Sequence, residues 1–175
     1  MNTPIVHSKH HADTGTWCHV VVDPATKSAA IIDPVLDYEA KGARTSTAFA
    51  ASILESCKEH GYRVQWILET HAHADHLSAA EWLQQQTGAP IGIGAGIKMV
   101  QAAFKPIYGL PAEFPTDGSQ FDRLFADGEH FALGSLDVEV IPTPGHTSDS
   151  VSYRIGDAVF VGDSIFMPDG GTARC

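Results

Sequence analysis

Strand-length apolar runs alternate with amphipathic helical stretches over the first two-thirds of the chain. The last third switches to an apolar–polar period of two, broken by Gly-containing turns. Turn residues stand at nearly every change of pattern. Together these observations predict an α/β fold. The sequence has no internal repeat, low-complexity tract or linker, and 175 residues suffice for one sizeable core, so 1–175 reads as a single domain.

The elements follow in order. Trp17 to Val22 is an apolar strand, and Asp23-Pro24-Ala25-Thr26 turns the chain. Ser28 to Ile32 is its hairpin partner and ends at Asp33-Pro34. Lys41 to Arg44 is a polar, Gly-containing loop. From Ser46 to His60 the period becomes helical: Phe49, Ile53 and Cys57 recur every fourth residue, Leu54 widens the stripe, and Gly61 stops the helix. Val64 to Leu68 reads as a buried strand. A second helix opens at Leu77, runs to about Thr87 and closes at Gly88. Ala89 to Gly94 is a short strand, and Gly96 to Phe104 a helix that ends before Pro106. Pro106 to Asp127 reads as irregular, with Tyr108, Phe114, Phe121 and Phe125 scattered through it. A loop of that length is either functional or a surface excursion pinned by its aromatics. Phe131 to Leu133 and Leu136 to Pro142 flank a Gly134-Ser135 turn. Ser150 to Ile155 and Ala158 to Gly162 form a hairpin around Gly156-Asp157.

Composition narrows the function classes. Apolar residues make up 43% of the chain and charged ones 18%, the balance of a globular domain. The net charge of −10 argues against a nucleic-acid partner and against adhesion to anionic membranes. No apolar run reaches the length of a membrane span, and Met1 to His11 lacks the apolar segment of a secretory signal. Cys18, Cys57 and Cys175 form an odd, sparse set that suits a reducing compartment. Cys57 falls on the apolar face of its helix. The expectation is a cytoplasmic protein without membrane or nucleic-acid partners; association as a homodimer is compatible with it.

The chemistry centres on Thr70-His71-Ala72-His73-Ala74-Asp75-His76. A strand end, a tight turn and a helix start deliver three imidazoles and a carboxylate to one place. Imidazole suits zinc, iron, copper and nickel, and carboxylate hardens the site. Three histidines at this spacing point to metal; Asp75 could also cap the following helix by accepting the Ser78 amide. His7, His10 and His11 lie in a polar, aperiodic segment and read as surface residues. Asp33, at a strand end, is either a brace for a ligating His or a turn-forming residue before Pro34. Two more ligand-type residues stand at strand ends beside small, turning residues: His146 in Thr143-Pro144-Gly145-His146-Thr147, and Asp163 in Gly162-Asp163-Ser164.

HAHADH, PGHT seventy residues after it, and GDSIF resemble the metallo-β-lactamase superfamily. The resemblance runs from Trp17 onward and implies an αβ/βα sandwich with metal at the sheet edge. Asp33-Pro34-Val35-Leu36-Asp37-Tyr38, the Arg44-Thr45-Ser46-Thr47 helix start and Gly171-Thr172-Ala173-Arg174 are most similar to the persulfide dioxygenases. These are glyoxalase-II-like, non-haem iron enzymes that oxidise glutathione persulfide to sulfite and glutathione. The resemblance implies one Fe(II) per chain on His71, His146 and Asp163, with zinc as the alternative metal. It places His73, Asp75 and His76 either in an outer shell or in a second metal site, the latter as in glyoxalase II. It implies a small-molecule thiol or persulfide substrate and dioxygen as partners, with catalysis by the same three ligands. Arg174 is a candidate for holding a substrate carboxylate, or is an exposed chain-end residue.

Family members continue well beyond Cys175, so the resemblance implies that the sandwich is incomplete and lacks its C-terminal part. It also leaves two rivals. One is a dinuclear thioester hydrolase, which needs His71, His73, Asp75, His76, His146 and Asp163 and a further His absent here. The other is a metal-binding remnant without turnover.

Overall fold

The computed structural model describes residues 3–168 and 170–171; Arg174, a candidate for a substrate carboxylate or an exposed chain-end residue, lies outside them. Thirteen strands and three α-helices are described. β1 (Ile5–His11), β2 (Thr16–Val22) and β3 (Ser28–Ile32) form an antiparallel ribbon. β3 is then joined in parallel by β6 (Arg63–Leu68), β8 (Ile91–Gly94) and β9 (Arg123–Phe125). The sheet order is β1-β2-β3-β6-β8-β9. Parallel neighbours need long crossovers, supplied by α1 (Ala48–Glu59), α2 (Ala80–Thr87) and α3 (Ile97–Ile107). A second, antiparallel sheet holds β10 (His130–Leu133), β11 (Leu136–Pro142), β12 (Val151–Ile155) and β13 (Ala158–Phe160). A small third sheet pairs β4 (Val35–Glu39) with β5 (Arg44–Ser46) and β7 (Leu77–Ser78).

Strand alternation splits the larger sheet between two cores. Val20, Val22, Ile31 and Ile67 face α1 and α2, against Ile53, Leu54, Cys57 and Leu83. Their neighbours Val21, Ala30, Ile32 and Leu68 face the second sheet, against Val138, Val140, Tyr153 and Ile155. A strand buried on both faces reads as a continuous apolar run, which is the pattern of Ser28 to Ile32. The layers are thus helix, sheet, sheet. The outer face of the second sheet shows polar residues such as Asp137, Glu139 and Arg154, the last two ion-paired, and no helix covers it among the described residues. That is the αβ/βα sandwich without its second helical layer.

Several expectations need correction. α2 begins at Ala80, because Leu77-Ser78 pairs with Val35-Leu36 instead of entering the helix. Asp75 therefore does not cap α2; Ser78 Oγ accepts the Ala80 amide, and Asp75 accepts the Thr16 hydroxyl. Arg44 to Ser46 is a strand, and α1 starts only at Ala48. α3 runs through Pro106, since a proline in the last turn removes only one helical hydrogen bond. Arg123 to Phe125, expected to be irregular, is the edge strand of the parallel sheet, with Phe125 buried between the sheets. Finally, Ile5 to His11 is a strand paired along its whole length with β2. His11, expected at the surface, is buried against Phe49 and bonded to Thr14 and Asp37.

Candidate metal centre

Parallel strands share one direction, so their exits gather at one edge, where open α/β sheets place their sites. β3 delivers Asp33 there, and β6 delivers Glu69 to His76. The exits of β11 and β13 bring His146 and Asp163 from the second sheet. The two sheets are stitched at this edge. The Val151 amide donates to the Thr70 carbonyl at 2.9 Å, and the buried Tyr153 hydroxyl donates to the Glu69 carbonyl at 2.9 Å.

Asp33 is the anchor. It sits at φ +52°, a left-handed conformation that costs a non-glycine residue on the order of 1 kcal/mol. Its buried carboxylate accepts the Thr70 amide at 2.8 Å, the Thr70 hydroxyl at 2.9 Å and His73 Nε2 at 3.0 Å. The Thr70 hydroxyl has one proton and gives it to Asp33, so its oxygen accepts from His71 Nδ1 at 2.9 Å. The chain Asp33–Thr70–His71 therefore leaves His71 Nε2 without a proton. That nitrogen is buried and has no hydrogen-bond partner among the described residues. Burial, and then the charge of His73, push the His71 pKa down to about 4. The ring is neutral at pH 7, the form in which imidazole binds metals.

His146 and Asp163 complete the group. Potential ligand atoms of His71, His146 and Asp163 all lie within 4.8 Å of one another. The His71 and His146 rings meet edge to face at 4.9 Å, and His146 Nε2 is 3.6 Å from Asp163 Oδ2. Gly162 permits this approach. It has φ +51°, and a Cβ there would stand 2.3 Å from Thr70 Oγ1. Ser164 ties the same turn to Thr143 through its carbonyl and hydroxyl oxygens.

His73, two residues from His71, has a different fate. Its Nε2–H is shared between Asp33 and Glu69, the latter at 3.1 Å. Burial alone would lower its pKa, but Asp33 and then Glu69 outweigh burial and hold it well above the ordinary value. The same contact keeps the Asp33 pKa low despite burial. His73, Asp75 and His76 form a second group within 4.8 Å. His76 donates Nδ1–H to the Leu77 carbonyl at 3.1 Å and leaves Nε2 buried without a hydrogen-bond partner among the described residues.

Two site residues are invisible in the sequence reading. Glu69 is buried and holds both His73 and Ser78. Its position one residue before the motif, at the end of a buried strand, is the signal that could have found it. Asp149 is buried and accepts the Ala72 amide at 3.0 Å, tying the histidine turn to the loop of His146. An acid three residues beyond a ligand-type His is too common to single out.

An empty buried imidazole nitrogen beside a second imidazole and a carboxylate fits a metal ion by donor chemistry: two nitrogens and one oxygen, with room for further ligands. No helix among the described residues is long and apolar enough to cross a membrane.

The family profile of the Metallo-beta-lactamase superfamily matches residues 12–175. The chain is 51% identical over 174 residues to a "Beta-lactamase hydrolase-like protein" of Xylella fastidiosa, which covers 99% of this chain and 40% of that protein. It is 53% identical over 165 residues to "Glyoxylase B2" of Dictyostelium discoideum, over 93% of this chain and 56% of that one. Its fold matches the crystal structure of ETHE1 from Myxococcus xanthus with a TM-score of 0.70 and 26% identity, over 93% of this chain and 59% of the other. The chain thus spans between two-fifths and three-fifths of the length of these relatives. With that match over nearly the whole sequence, and the motif residues gathered at one sheet edge, the chain belongs to the metallo-β-lactamase superfamily.

Proposed function

We propose that the protein is a mononuclear non-haem iron persulfide dioxygenase, with one Fe(II) per chain on His71, His146 and Asp163. One observation carries this reading. On a single turn, His71 Nε2 is bare and buried beside His146 and Asp163, whereas His73 is turned into Asp33 and Glu69 as a cation. That selects one 2-His-1-carboxylate face, the arrangement that leaves iron open positions. The likeness to ETHE1 and the Asp33–Tyr38 segment support it.

Iron, when bound, supplies the redox chemistry on sulfur and dioxygen. The overall reaction is R–S–SH + O2 + H2O → R–SH + sulfite + 2 H+. The sulfur–sulfur bond breaks, the terminal sulfur loses four electrons to dioxygen, and the carrier leaves as a thiol. The chain's own residues hold and tune. Thr70 fixes the His71 ring, and Asp33 fixes Thr70. The His73 cation, with its ring centroid 4.1 Å from that of His71, places a positive charge beside an incoming persulfide anion.

The test is metal analysis coupled to an oxygen electrode, with glutathione persulfide as reference substrate. The reading predicts about one iron per chain, and oxygen uptake matched by sulfite. Iron-loaded protein that takes up no oxygen with either glutathione persulfide or an alkyl persulfide overturns it.

A second reading is a two-metal thioester hydrolase. It is favoured by the bare His76 Nε2 next to His73 and Asp75, and by the hydrolase-like name of the Xylella relative. Two zinc ions per chain and thioester cleavage without oxygen uptake would establish it instead.

A further inference from the structure

A cavity of about 850 Å3 lies beside the metal centre and meets it at His146. His73, His76 and His146 line one side of it. Much of the remaining lining is apolar: Leu36 and Leu77 from the small sheet, Val100 and Phe104 from α3, and Tyr108 and Phe114 from the segment after α3. The His73 cation stands at the metal edge of the cavity, paired with Asp33 and Glu69; away from that edge the described lining offers an anionic tail no free cation. Lys105 is the one lysine or arginine lining it among the described residues. Its ammonium is already engaged, donating to the Ala112 carbonyl at 2.5 Å and the Phe114 carbonyl at 2.7 Å. Asp13 and Asp75 add negative charge. A glutathione moiety carries two carboxylates and an ammonium; it would leave this apolar wall uncovered, and among the described residues its carboxylates would meet no free lysine or arginine there.

We infer that this cavity takes the uncharged, apolar substituent of its sulfur substrate, an alkyl or aryl group R in R–S–SH, in preference to glutathione. The inference rests on the persulfide reading for the reacting sulfur alone. The apolar wall concerns what the sulfur is attached to. The volume lies within the range of small-molecule pockets, and the wall is continuous with the metal-binding edge, so head and tail of one molecule reach both.

Thiols test this without turnover. The thiol head is the same in every probe, so differences in affinity report on R. Ethane-, butane-, hexane- and octanethiol, and glutathione, are titrated calorimetrically into the metal-loaded protein. Each methylene buried strengthens binding by about fourfold at most. The expected result is an affinity that climbs about threefold per methylene through hexanethiol, with hexanethiol binding at least about tenfold tighter than glutathione. Phe104→Glu should flatten the series, and circular dichroism and metal content verify that the variant is folded and loaded. A series flat in chain length, or glutathione binding as tightly as hexanethiol, overturns the inference. Hexanethiol binding tightly while no persulfide drives oxygen uptake removes the dioxygenase reading and leaves the cavity assignment standing.

Discussion

His71 and His73 stand two residues apart on the same turn, with ring centroids 4.1 Å from one another, and yet occupy opposite chemical states. His71 is held through a neutral hydroxyl, whose oxygen accepts a hydrogen bond from Nδ1–H and so leaves Nε2 bare. His73 is held by two buried carboxylates, which keep it protonated. The difference comes from what lies behind each ring, not from the motif. A hydroxyl relay makes an imidazole a ligand, while direct contact with two anions makes it a counter-ion.

The largest effect should come from breaking the first half of that contrast. His146→Ala should abolish iron retention, while His7→Ala, on the exposed β1 face, should leave it unchanged. Metal content after desalting decides the matter; equal retention in both variants contradicts the assignment.

Asp33 serves both histidines, so Asp33→Ala should damage both halves. It removes the charge partner of His73 and the acceptor of Thr70. Breaking a buried charged pair costs about 3–5 kcal/mol, read as a drop in the urea midpoint of the metal-free protein. Thr70→Val is narrower. It should lower iron affinity about 10–100-fold, as loss of a ligand-orienting partner does, and leave His73 paired. An unchanged iron affinity would break the relay argument.

Gly162→Ala tests the geometry alone. Its Cβ would meet Thr70 Oγ1 at 2.3 Å in a left-handed backbone conformation. A loss of about 1–3 kcal/mol is expected, with weakened metal retention because Asp163 must shift.

Acid separates the two rings most gently. His71 has a folded pKa near 4, below the ordinary 6.5, so the unfolded state takes its proton first. Its contribution to stability is present above pH 6.5 and is lost as pH falls toward 4. His73 has the opposite sign: its contribution is full below pH 6.5 and is lost as pH rises through its elevated folded value. Metal-free His71→Gln should therefore lose part of the decline in urea midpoint between pH 6.5 and 4. A decline identical to that of the parent contradicts the buried, neutral assignment.

How much of this could be read in the sequence depended on whether the cause was local. The β3, β6 and β12 strands were legible because apolar runs record burial directly. The HAHADH, PGHT and GDS turns were legible because ligand types cluster beside strand ends. β1 was not: as an edge strand with mostly exposed residues it has no apolar period, and only its pairing with β2 reveals it. For the same reason the burial of His11 leaves no mark in the sequence. Asp33 could be seen as a brace or a turn residue, but its connection to His71 through Thr70 exists only in three dimensions. Glu69 was hidden because a single acid at the end of an apolar strand looks like a boundary. The Leu77-Ser78 bridge and the helix through Pro106 were lost to propensity rules that tertiary contacts override.

The claim on which the proposed function turns is that one metal, not two, sits at this edge. Iron and zinc content, measured in parallel on the parent protein and on His76→Ala, tests it most directly, because His76 belongs only to the second group. The account predicts about one iron per chain in both proteins. Two metal ions in the parent, falling to one in the variant, would contradict it.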